Sequence, residues 1–266
     1  MAFSTLSTLS RIAPPPIMQN VPFSYTTSGI TPTVYTSGQY TVLVFTCPNG
    51  QSASGTISFT AANTINYIVV GSGGSGGRTQ AGAGAGGGGG GAGGSILQGS
   101  TSVTRNTPYS VVIGLNGMAA AAGVAGSNCR FGSIVAAGGL AGGNSSGGTG
   151  GAGGVGANGG GSGGKGGNYG GSAGNGTAGS TLTTAITVTI NSANWTTLAG
   201  GGAGGNAQGG TPATQGYGYT AGGAGSTQGS VSTAGTGAGG SGGWTRGNLS
   251  EGDAGQGATG VVILYF

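Results

Sequence analysis

The sequence lacks most of the side chains on which enzyme chemistry depends. It contains no histidine, and its only carboxylate side chains are Glu251 and Asp253, which lie two positions apart in a glycine-rich stretch. Without histidine, catalytic triads and most zinc sites are excluded. Two carboxylates cannot supply the six or more oxygen ligands of a calcium site. The composition therefore predicts a protein that is not an enzyme and that holds no cofactor and no metal.

Charge of either sign is also scarce. Charged residues make up 3% of the 266 residues, with six basic and two acidic side chains and a net charge of +4. Phosphate binding needs several clustered positive charges, so the dispersed basic residues predict no nucleic-acid partner. A low charge on an ordered chain favours a surface that neighbours cover, as in a homo-oligomer or a larger assembly. The basic residues are Arg11, Arg78, Arg105, Arg130, Lys165 and Arg246.

Cysteines and long apolar runs are few. Cys47 and Cys129 are the only cysteines; they can form one bridge, but buried free thiols are favoured because cysteine packs as a small hydrophobic residue. No apolar run approaches the roughly 18 to 20 residues of a membrane-spanning helix. The first residues lack the basic and apolar regions of a signal peptide. We therefore expect no membrane span, no secretory signal and synthesis in a cytosol.

Glycine is the residue that the chain has in excess, with 72 of 266 positions. Within the longest glycine-rich stretch, 138–179, a non-glycine residue recurs at every third position from Thr149 through Ala152 and Val155 to Asn158, and the spacing resumes at Ser162, Lys165 and Asn168. Three residues per turn is the period of an extended helix of the polyproline II type, which has no internal hydrogen bonds. We therefore predict glycine-rich rods that lie side by side and pair their backbone groups with one another.

Segments with the composition of β-strands alternate with the glycine runs. They are rich in β-branched residues and lie at 40–46, 55–60, 65–77, where the strand runs into glycine, 95–104, 108–117, 129–139, 181–205 and 260–266. Helix signals are nearly absent. The predicted fold is therefore all-β with extensive polyglycine II-like rods, in which a sandwich-like scaffold of strands leads into a packed glycine-rich layer.

Turn residues between some of these segments predict two hairpins. Pro48, Asn49 and Gly50 separate the strand segments 40–46 and 55–60, and Asn-Gly favours a tight turn. The segments 95–104 and 108–117 are separated by a turn at 105–107 and form the second predicted hairpin.

The first 38 residues differ in composition from the rest of the chain. Prolines at 14–16, 22 and 32 stand among Ser, Thr and Tyr residues, and proline favours extended backbone at itself and at the preceding residue. We therefore predict two regions: an extended Ser/Thr/Pro-rich N-terminal anchoring arm, 1–38, and a glycine-rich β/polyglycine domain, 39–266.

The order of motifs in the second region resembles a known family. A strand runs into glycines in YIVVGSGGSGG, a segment FGSIVAAGG follows at 131–139, and the chain closes on GVVILYF at 260–266. In this order the chain is similar to the glycine-rich domain of tailed-phage fibre and adhesin proteins and of proteins from large eukaryotic viruses. The resemblance implies a component of a virion surface or fibre that packs polyglycine, and it implies no catalytic residues.

These observations lead to one preferred hypothesis and two alternatives. The preferred one is a non-enzymatic structural protein of a virus particle, capsid-associated or part of a fibre, made in the host cytoplasm and anchored to other virion proteins through 1–38. The first alternative is a receptor-binding adhesin at a fibre tip, which contacts a host-surface glycan or protein through loops near 206–230 and 244–258. The second is an extracellular protective or ice-binding-like glycine-rich protein. The candidate receptor-binding residues are Tyr217, Tyr219, Trp244 and Arg246.

Overall fold

A computed structural model describes residues 23–79, 87–118, 123–146, 149–156, 158–168, 170–205, 233–243 and 254–266. These residues form twelve β-strands and no helix, which confirms the all-β prediction. The strands are β1 Tyr25–Ser28, β2 Thr33–Ser37, β3 Tyr40–Phe45, β4 Ala53–Phe59, β5 Asn63–Val70, β6 Ile96–Val103, β7 Tyr109–Ile113, β8 Cys129–Phe131, β9 Ile134–Ala136, β10 Val188–Ile190, β11 Ala193–Trp195 and β12 Val261–Tyr265.

The strands of the described residues form three antiparallel sheets. The first sheet has the order β1-β4-β7-β8-β9, the second has the order β2-β3-β12-β5-β6, and β10 and β11 form a hairpin. The C-terminal strand β12 lies at the centre of the second sheet, where Ile263 is opposite Val44 of β3 and Ile68 of β5. All five residues of β12 are buried. This explains why its sequence is continuously apolar, because a strand covered on both faces needs no polar alternation.

The two five-stranded sheets share one hydrophobic core. Alternate residues of β3 and β12 from the second sheet, such as Phe45 and Leu264, meet alternate residues of β4 and β7 from the first, such as Ile57 and Ile113. Side chains that interdigitate between the inner faces of two sheets are typical of a sandwich-like arrangement. The sheets thus form the hydrophobic part of the protein.

A second core covers the outer face of the second sheet. Val42 and Ile263 of this face pack with Ile190 of the β10–β11 hairpin and with Leu198, where the glycine-rich segment 198–205 begins. The hydroxyl of Tyr35 fixes the hairpin, because it donates to the Thr187 carbonyl (2.9 Å) and accepts from the Thr189 N–H (3.0 Å). The hairpin thus connects the strand scaffold to the glycine-rich part of the chain.

Both predicted hairpins are wrong in their pairing, although the strands themselves are present. β3 lies in the second sheet and β4 in the first, and likewise β6 and β7 belong to different sheets. The chain therefore crosses from one sheet to the other at each turn. Because the two strands at each turn lie in opposite sheets, both can bury apolar side chains in the core between the sheets. A hairpin would have placed both strands in the same sheet.

The part of the predicted arm that the structure describes, 23–38, contributes a strand to each large sheet. β1 pairs with β4 and β2 pairs with β3, and both are edge strands. Phe23 stacks on Phe59 with ring centroids 5.4 Å apart and makes an edge contact with Phe266 at 4.7 Å. Residues 1–22 lie outside the described residues, and a boundary at residue 38 stays a prediction.

Six strands connect to glycine-rich segments at the same end of the two sheets. β5, β7 and β9 end where the segments 71–79, 114–118 and 137–146 begin. β6, β8 and β12 begin where the segments 87–95, 123–128 and 254–260 end. Because antiparallel neighbours alternate in direction, these exits and entries all lie on one edge. The glycine-rich layer therefore extends from one end of the strand scaffold.

Candidate functional site

The most distinctive site of the molecule is the hydrogen-bonded array of its glycine-rich segments. The segment 87–95 illustrates the pattern: Gly87, Gly88 and Gly89 donate to three different segments, and Gly90 returns to the first of the three. The donor–acceptor distances of all the backbone bonds that 87–95 donates run from 2.7 to 3.1 Å. The carbonyl groups of the same segment accept hydrogen bonds from three further segments. The six partner segments are 71–79, 137–146, 149–156, 158–168, 198–205 and 235–243.

The neighbouring segment 71–79 repeats the same rotation. Gly71, Ser72 and Gly73 donate to three different segments, and Gly74 returns to the segment that Gly71 contacts. The segment also accepts bonds from three others, so it too has six partners. They are 87–95, 114–118, 123–128, 137–146, 235–243 and 254–260. Two adjacent segments with six partners each form the interior of the layer.

Many glycine positions in the interior of the layer leave no room for a side chain. A Cβ on Gly73 would collide with the carbonyl oxygen of Ala238, and one on Gly89 would collide with that of Ala152. Real Cβ atoms do not approach backbone atoms so closely, and the neighbouring backbone is itself held by hydrogen bonds. Glycine is therefore required at these positions by close approach.

Two segments at the surface of the layer, 149–156 and 158–168, expose non-glycine residues to solvent. The segment 149–156 has hydrogen bonds to three described segments, and its side chains at Ala152 and Val155 are exposed, Val155 to 64%. Lys165 and Asn168 of the next segment are also exposed. The residues that recur at every third position are thus the ones whose side chains point away from the layer.

Buried polar side chains pair backbone groups where strands meet glycine-rich segments. The hydroxyl of Ser72 donates to the Gly114 carbonyl (2.7 Å) and accepts from the Gly260 N–H (3.0 Å). Asn116 accepts from the Gly50 N–H (2.7 Å) through its Oδ1 atom. Such pairing removes the cost of burying backbone groups that neither sheet nor layer satisfies. The junction is therefore a structural polar cluster.

The two cysteines are free and buried, in agreement with the preferred prediction. Burial raises the pKa of Cys47 to about 11, with a smaller contribution from Cys129. Burial also raises the pKa of Cys129, against hydrogen bonds such as the one from the Gly114 N–H to its Sγ (3.3 Å). A thiol with a raised pKa stays protonated at neutral pH and is a poor nucleophile.

The four candidate receptor-binding residues Tyr217, Tyr219, Trp244 and Arg246 lie outside the described residues. Of the two predicted loop ranges, 206–230 and 244–258, the structure describes only 254–258, and these residues belong to the layer segment 254–260 rather than to a loop. Gly205, Gly243 and Ala254 lie at the end of the layer away from the sheets, since 198–205 and 235–243 run in the direction of 71–79 and 254–260 runs against it. The candidate role of the four residues stays a prediction.

Other surface features offer little chemistry. An open depression of about 400 Å³ beside β5 and β6 is lined by uncharged residues. In the part of the chain that the structure describes, no three His, Cys, Asp or Glu side chains come together as metal ligands. The same part contains no helix with the length and hydropathy needed to cross a bilayer. The depression is lined by Asn66, Gln98, Gly99, Ser100, Thr183 and Tyr265.

The fold and the array together define an all-β protein with a glycine-rich, hydrogen-bonded layer. The chain belongs to the glycine-rich domain family, whose model matches residues 49–266. The match includes all strands from β4 onwards and every segment of the layer. No curated protein matches the chain. The predicted resemblance to a glycine-rich domain is thus confirmed, whereas its viral fibre or adhesin type stays a prediction.

Proposed function

We propose that this chain is a non-enzymatic structural protein of a virus particle, either capsid-associated or part of a fibre. In this proposal it is made in the host cytoplasm and anchored to other virion proteins through residues 1–38. The observation that supports the proposal most is the array in which 71–79 and 87–95 each have six hydrogen-bonded partners. Such an array makes the protein rigid without any bound ligand, and rigidity is the property that a structural component of a particle requires.

The glycine-rich segments are, in this proposal, rods of the polyglycine II type. The support is the return of each hydrogen bond to the same partner after three residues, as from Gly87 to Gly90. A chain with three residues per turn presents its N–H groups in three directions in turn. A β-strand would present them in only two, because its period is two.

Amide hydrogen exchange tests the rods. Buried amides that pair between segments exchange only when the layer opens. We expect the amides of Gly88 to Gly94 to exchange as slowly as those of β12, which lies in the centre of a sheet. Exchange of these glycines within minutes at neutral pH, with β12 still protected, would contradict a rigid array.

Localisation in the particle tests the virion assignment. We expect antibodies or mass spectrometry to detect the chain in purified particles of the virus that encodes it, at a fixed copy number per particle. A chain found only in infected-cell lysate, and lost from particles during purification, would refute the structural role.

The anchoring role of the arm has a separate test. Residues 25–37 contain β1 and β2, so their removal would also damage the sheets. Deletion of residues 2–21 removes arm sequence and leaves both strands. We expect the shortened chain to keep its unfolding temperature and to lose incorporation into particles. Unchanged incorporation would exclude the arm as an anchor.

A receptor-binding adhesin is the second candidate, and one observation favours it. Gly205, Gly243 and Ala254, the described residues that adjoin the stretches containing the candidate residues, lie at the end of the layer away from the sheets. Loops at the end of a rigid scaffold commonly carry binding residues. In this proposal the loops contact a glycan or protein of the host surface.

Alanine substitution of the four candidate residues tests the adhesin. We expect host attachment to fall at least tenfold when Tyr217, Tyr219, Trp244 and Arg246 are replaced together. The matched control replaces Thr33, Val34 and Thr36, exposed residues of β2, and should leave attachment unchanged. Attachment that survives the first set of substitutions would remove this candidate.

A further inference from the structure

Three adjacent segments form the outer side of the glycine-rich layer: 123–128, 137–146 and 149–156. The Gly126 N–H donates to the Gly139 carbonyl (2.9 Å) and the Gly143 N–H donates to the Ala152 carbonyl (2.7 Å), so the three lie side by side. Their sequences contain no charged residue. We call this surface the outer face. The apolar residues exposed on it are Val124, Ala125, Ala137, Leu140, Ala152 and Val155.

The outer face holds much of the exposed apolar surface of the described residues. Leu140 is 54% exposed and Val155 is 64% exposed, the two highest values among the large exposed hydrophobic side chains. The eight residues of 149–156 at 3.1 Å give a length of about 25 Å, and three chains about 5 Å apart give a width of about 15 Å. The apolar residues share this area of roughly 400 Å² with exposed polar ones such as Ser127 and Thr149, and exposed apolar surface gathered on one face often marks an interaction site.

In two of the three segments of the outer face, the exposed apolar residues stand three positions apart. Ala137 is followed by Leu140, and Ala152 is followed by Val155. At three residues per turn and 3.1 Å per residue, such side chains stand about 9 Å apart along each segment. A chain that carries an apolar residue at the same interval would match the spacing of these pairs.

The N-terminal sequence has this interval. Every third residue from Phe3 to Val21 is apolar, while all the polar residues of the first 22 fall at the other two positions of the triplet. In an α-helix a stripe with a period of three drifts by about 60° per triplet and encircles the helix within six triplets. In a polyproline II helix it forms one straight ridge. The residues of the stripe are Phe3, Leu6, Leu9, Ile12, Pro15, Met18 and Val21.

Proline content favours the extended form for this sequence. Pro14, Pro15 and Pro16 fix their own φ angles near the polyproline II value, and they exclude a continuous helix across the stripe. Twenty-one residues at 3.1 Å span about 65 Å, more than twice the length of the outer face. The stripe is therefore long enough to leave its own molecule and to cover the face of another.

The geometry points to the outer face as the binding site for residues 1–21 of a second copy of this chain. The direction of β1 favours a second copy over the same molecule. Tyr25 of β1 is opposite Phe59 of β4, and Ile57 of β4 is opposite Tyr109 of β7, whereas the layer begins after Ile113 at the other end of β7. Phe23, the first described residue, therefore lies at the end of the sheets remote from the layer, so an extended segment before it would have to reverse direction to reach its own outer face.

The inference rests on the proposed anchoring role of the arm and specifies one partner for it, a neighbouring copy of this chain in the particle. Its test uses the purified chain alone, so that its failure is distinguishable from failure of the virion assignment. Burial of the stripe against an uncharged face would be driven by removal of apolar area from water. It should therefore depend little on salt.

Matched substitutions in the arm give the first test. We expect the full chain to form dimers or larger assemblies, measured by sedimentation velocity over a range of concentrations. Leu6→Asn with Leu9→Asn should weaken self-association at least tenfold, whereas Thr5→Asn with Thr8→Asn should change it less than twofold. Equal effects of the two pairs, or a full chain that stays monomeric at all concentrations, would overturn the inference.

Substitutions on the outer face give the reciprocal test. Leu140→Asn with Val155→Asn should weaken self-association as much as the arm variant does. Val34→Asn, at a residue of β2 that is 50% exposed, is the control and should have no effect. All three positions are exposed, so the fold should be retained, which circular dichroism checks. Association that is unaffected by the outer-face pair would place the arm elsewhere.

Cross-linking decides between a second copy and the same molecule. One chain carries Leu9→Cys and another carries Leu140→Cys, and a short bismaleimide is added to their mixture; Cys47 and Cys129 are buried and should not react. We expect a covalent dimer that contains one chain of each kind. A cross-link that forms only within a chain carrying both substitutions would overturn the exchange between copies.

Discussion

The strand scaffold and the glycine-rich layer are both buried, but different parts of the chain hold them together. The scaffold buries large side chains such as Phe45 and Ile263 in two cores. The layer buries backbone, and its interior segments, 71–79 and 87–95, pair in six directions with almost no side chain between them. The comparison shows that a buried region can be specified by the absence of side chains as well as by their shape.

The largest expected effect tests the scaffold. Phe45 is fully buried in the core between the sheets. Phe45→Ala should lower the free energy of unfolding by about 4 kcal/mol, because it removes buried area and leaves a cavity. Urea denaturation measures the change. A loss below 1 kcal/mol would show that the layer, and not the core, carries the stability of the molecule.

The next effect tests the layer with the smallest possible addition. Gly89→Ala places one methyl group against the Ala152 carbonyl and should cost about 3 kcal/mol, near the upper end for overpacking, since the neighbouring backbone cannot yield without losing hydrogen bonds. Gly171→Ala is the matched control, because its Cβ would come no closer than 3.3 Å to the nearest atom. The control should shift the free energy of unfolding by less than 1 kcal/mol. Equal losses of stability in the two variants would show that close backbone contact at Gly89 does not determine the cost of an added methyl group.

A smaller effect tests the connection between the two regions. Tyr35→Phe removes two hydrogen bonds from the hydroxyl to the backbone at Thr187 and Thr189. The expected loss is about 1 kcal/mol, typical of partly exposed hydrogen bonds. Thermal unfolding measures it. A loss as large as that of Phe45→Ala would indicate that the β10–β11 hairpin is required for the layer to form.

The smallest effect concerns the outer segments. Val155 is 64% exposed, so Val155→Ser should change the free energy of unfolding of the monomer by less than about 0.5 kcal/mol. Dilute samples are needed for this measurement, because the same residue belongs to the proposed outer-face interaction. A large loss in the monomer would show that Val155 packs inside the molecule.

Strand positions could be predicted from the sequence, whereas strand pairing could not. The β-branched composition of 65–70 and 260–266 indicates strands, and β5 and β12 lie there. The turn at Pro48, Asn49 and Gly50 suggested that β3 and β4 pair, but these strands lie in opposite sheets. Local turn chemistry sets where a chain reverses, while the shared core decides which strands become neighbours.

The candidate site was predicted in part. The period of three at Ala152 and Val155 indicated extended segments that pair with each other, and both side chains are exposed. The sequence did not reveal that Val124 and Leu140 join them on one face, because these residues lie in different segments whose neighbours are set by the sheets. The four aromatic and basic candidates, among them Trp244, stay a prediction.

The sequence by itself determined the kind of backbone each region can form. β-branched runs allow strands, and glycine at nearly every position of 87–94 allows neighbouring backbones to come closer together than any side chain would permit. Only the tertiary structure decided which segments lie inside the layer and which lie at its surface. The physical reason is that hydrogen-bond partners of an extended chain come from other segments, and the strand order at the edge of the two sheets sets where each of those segments starts.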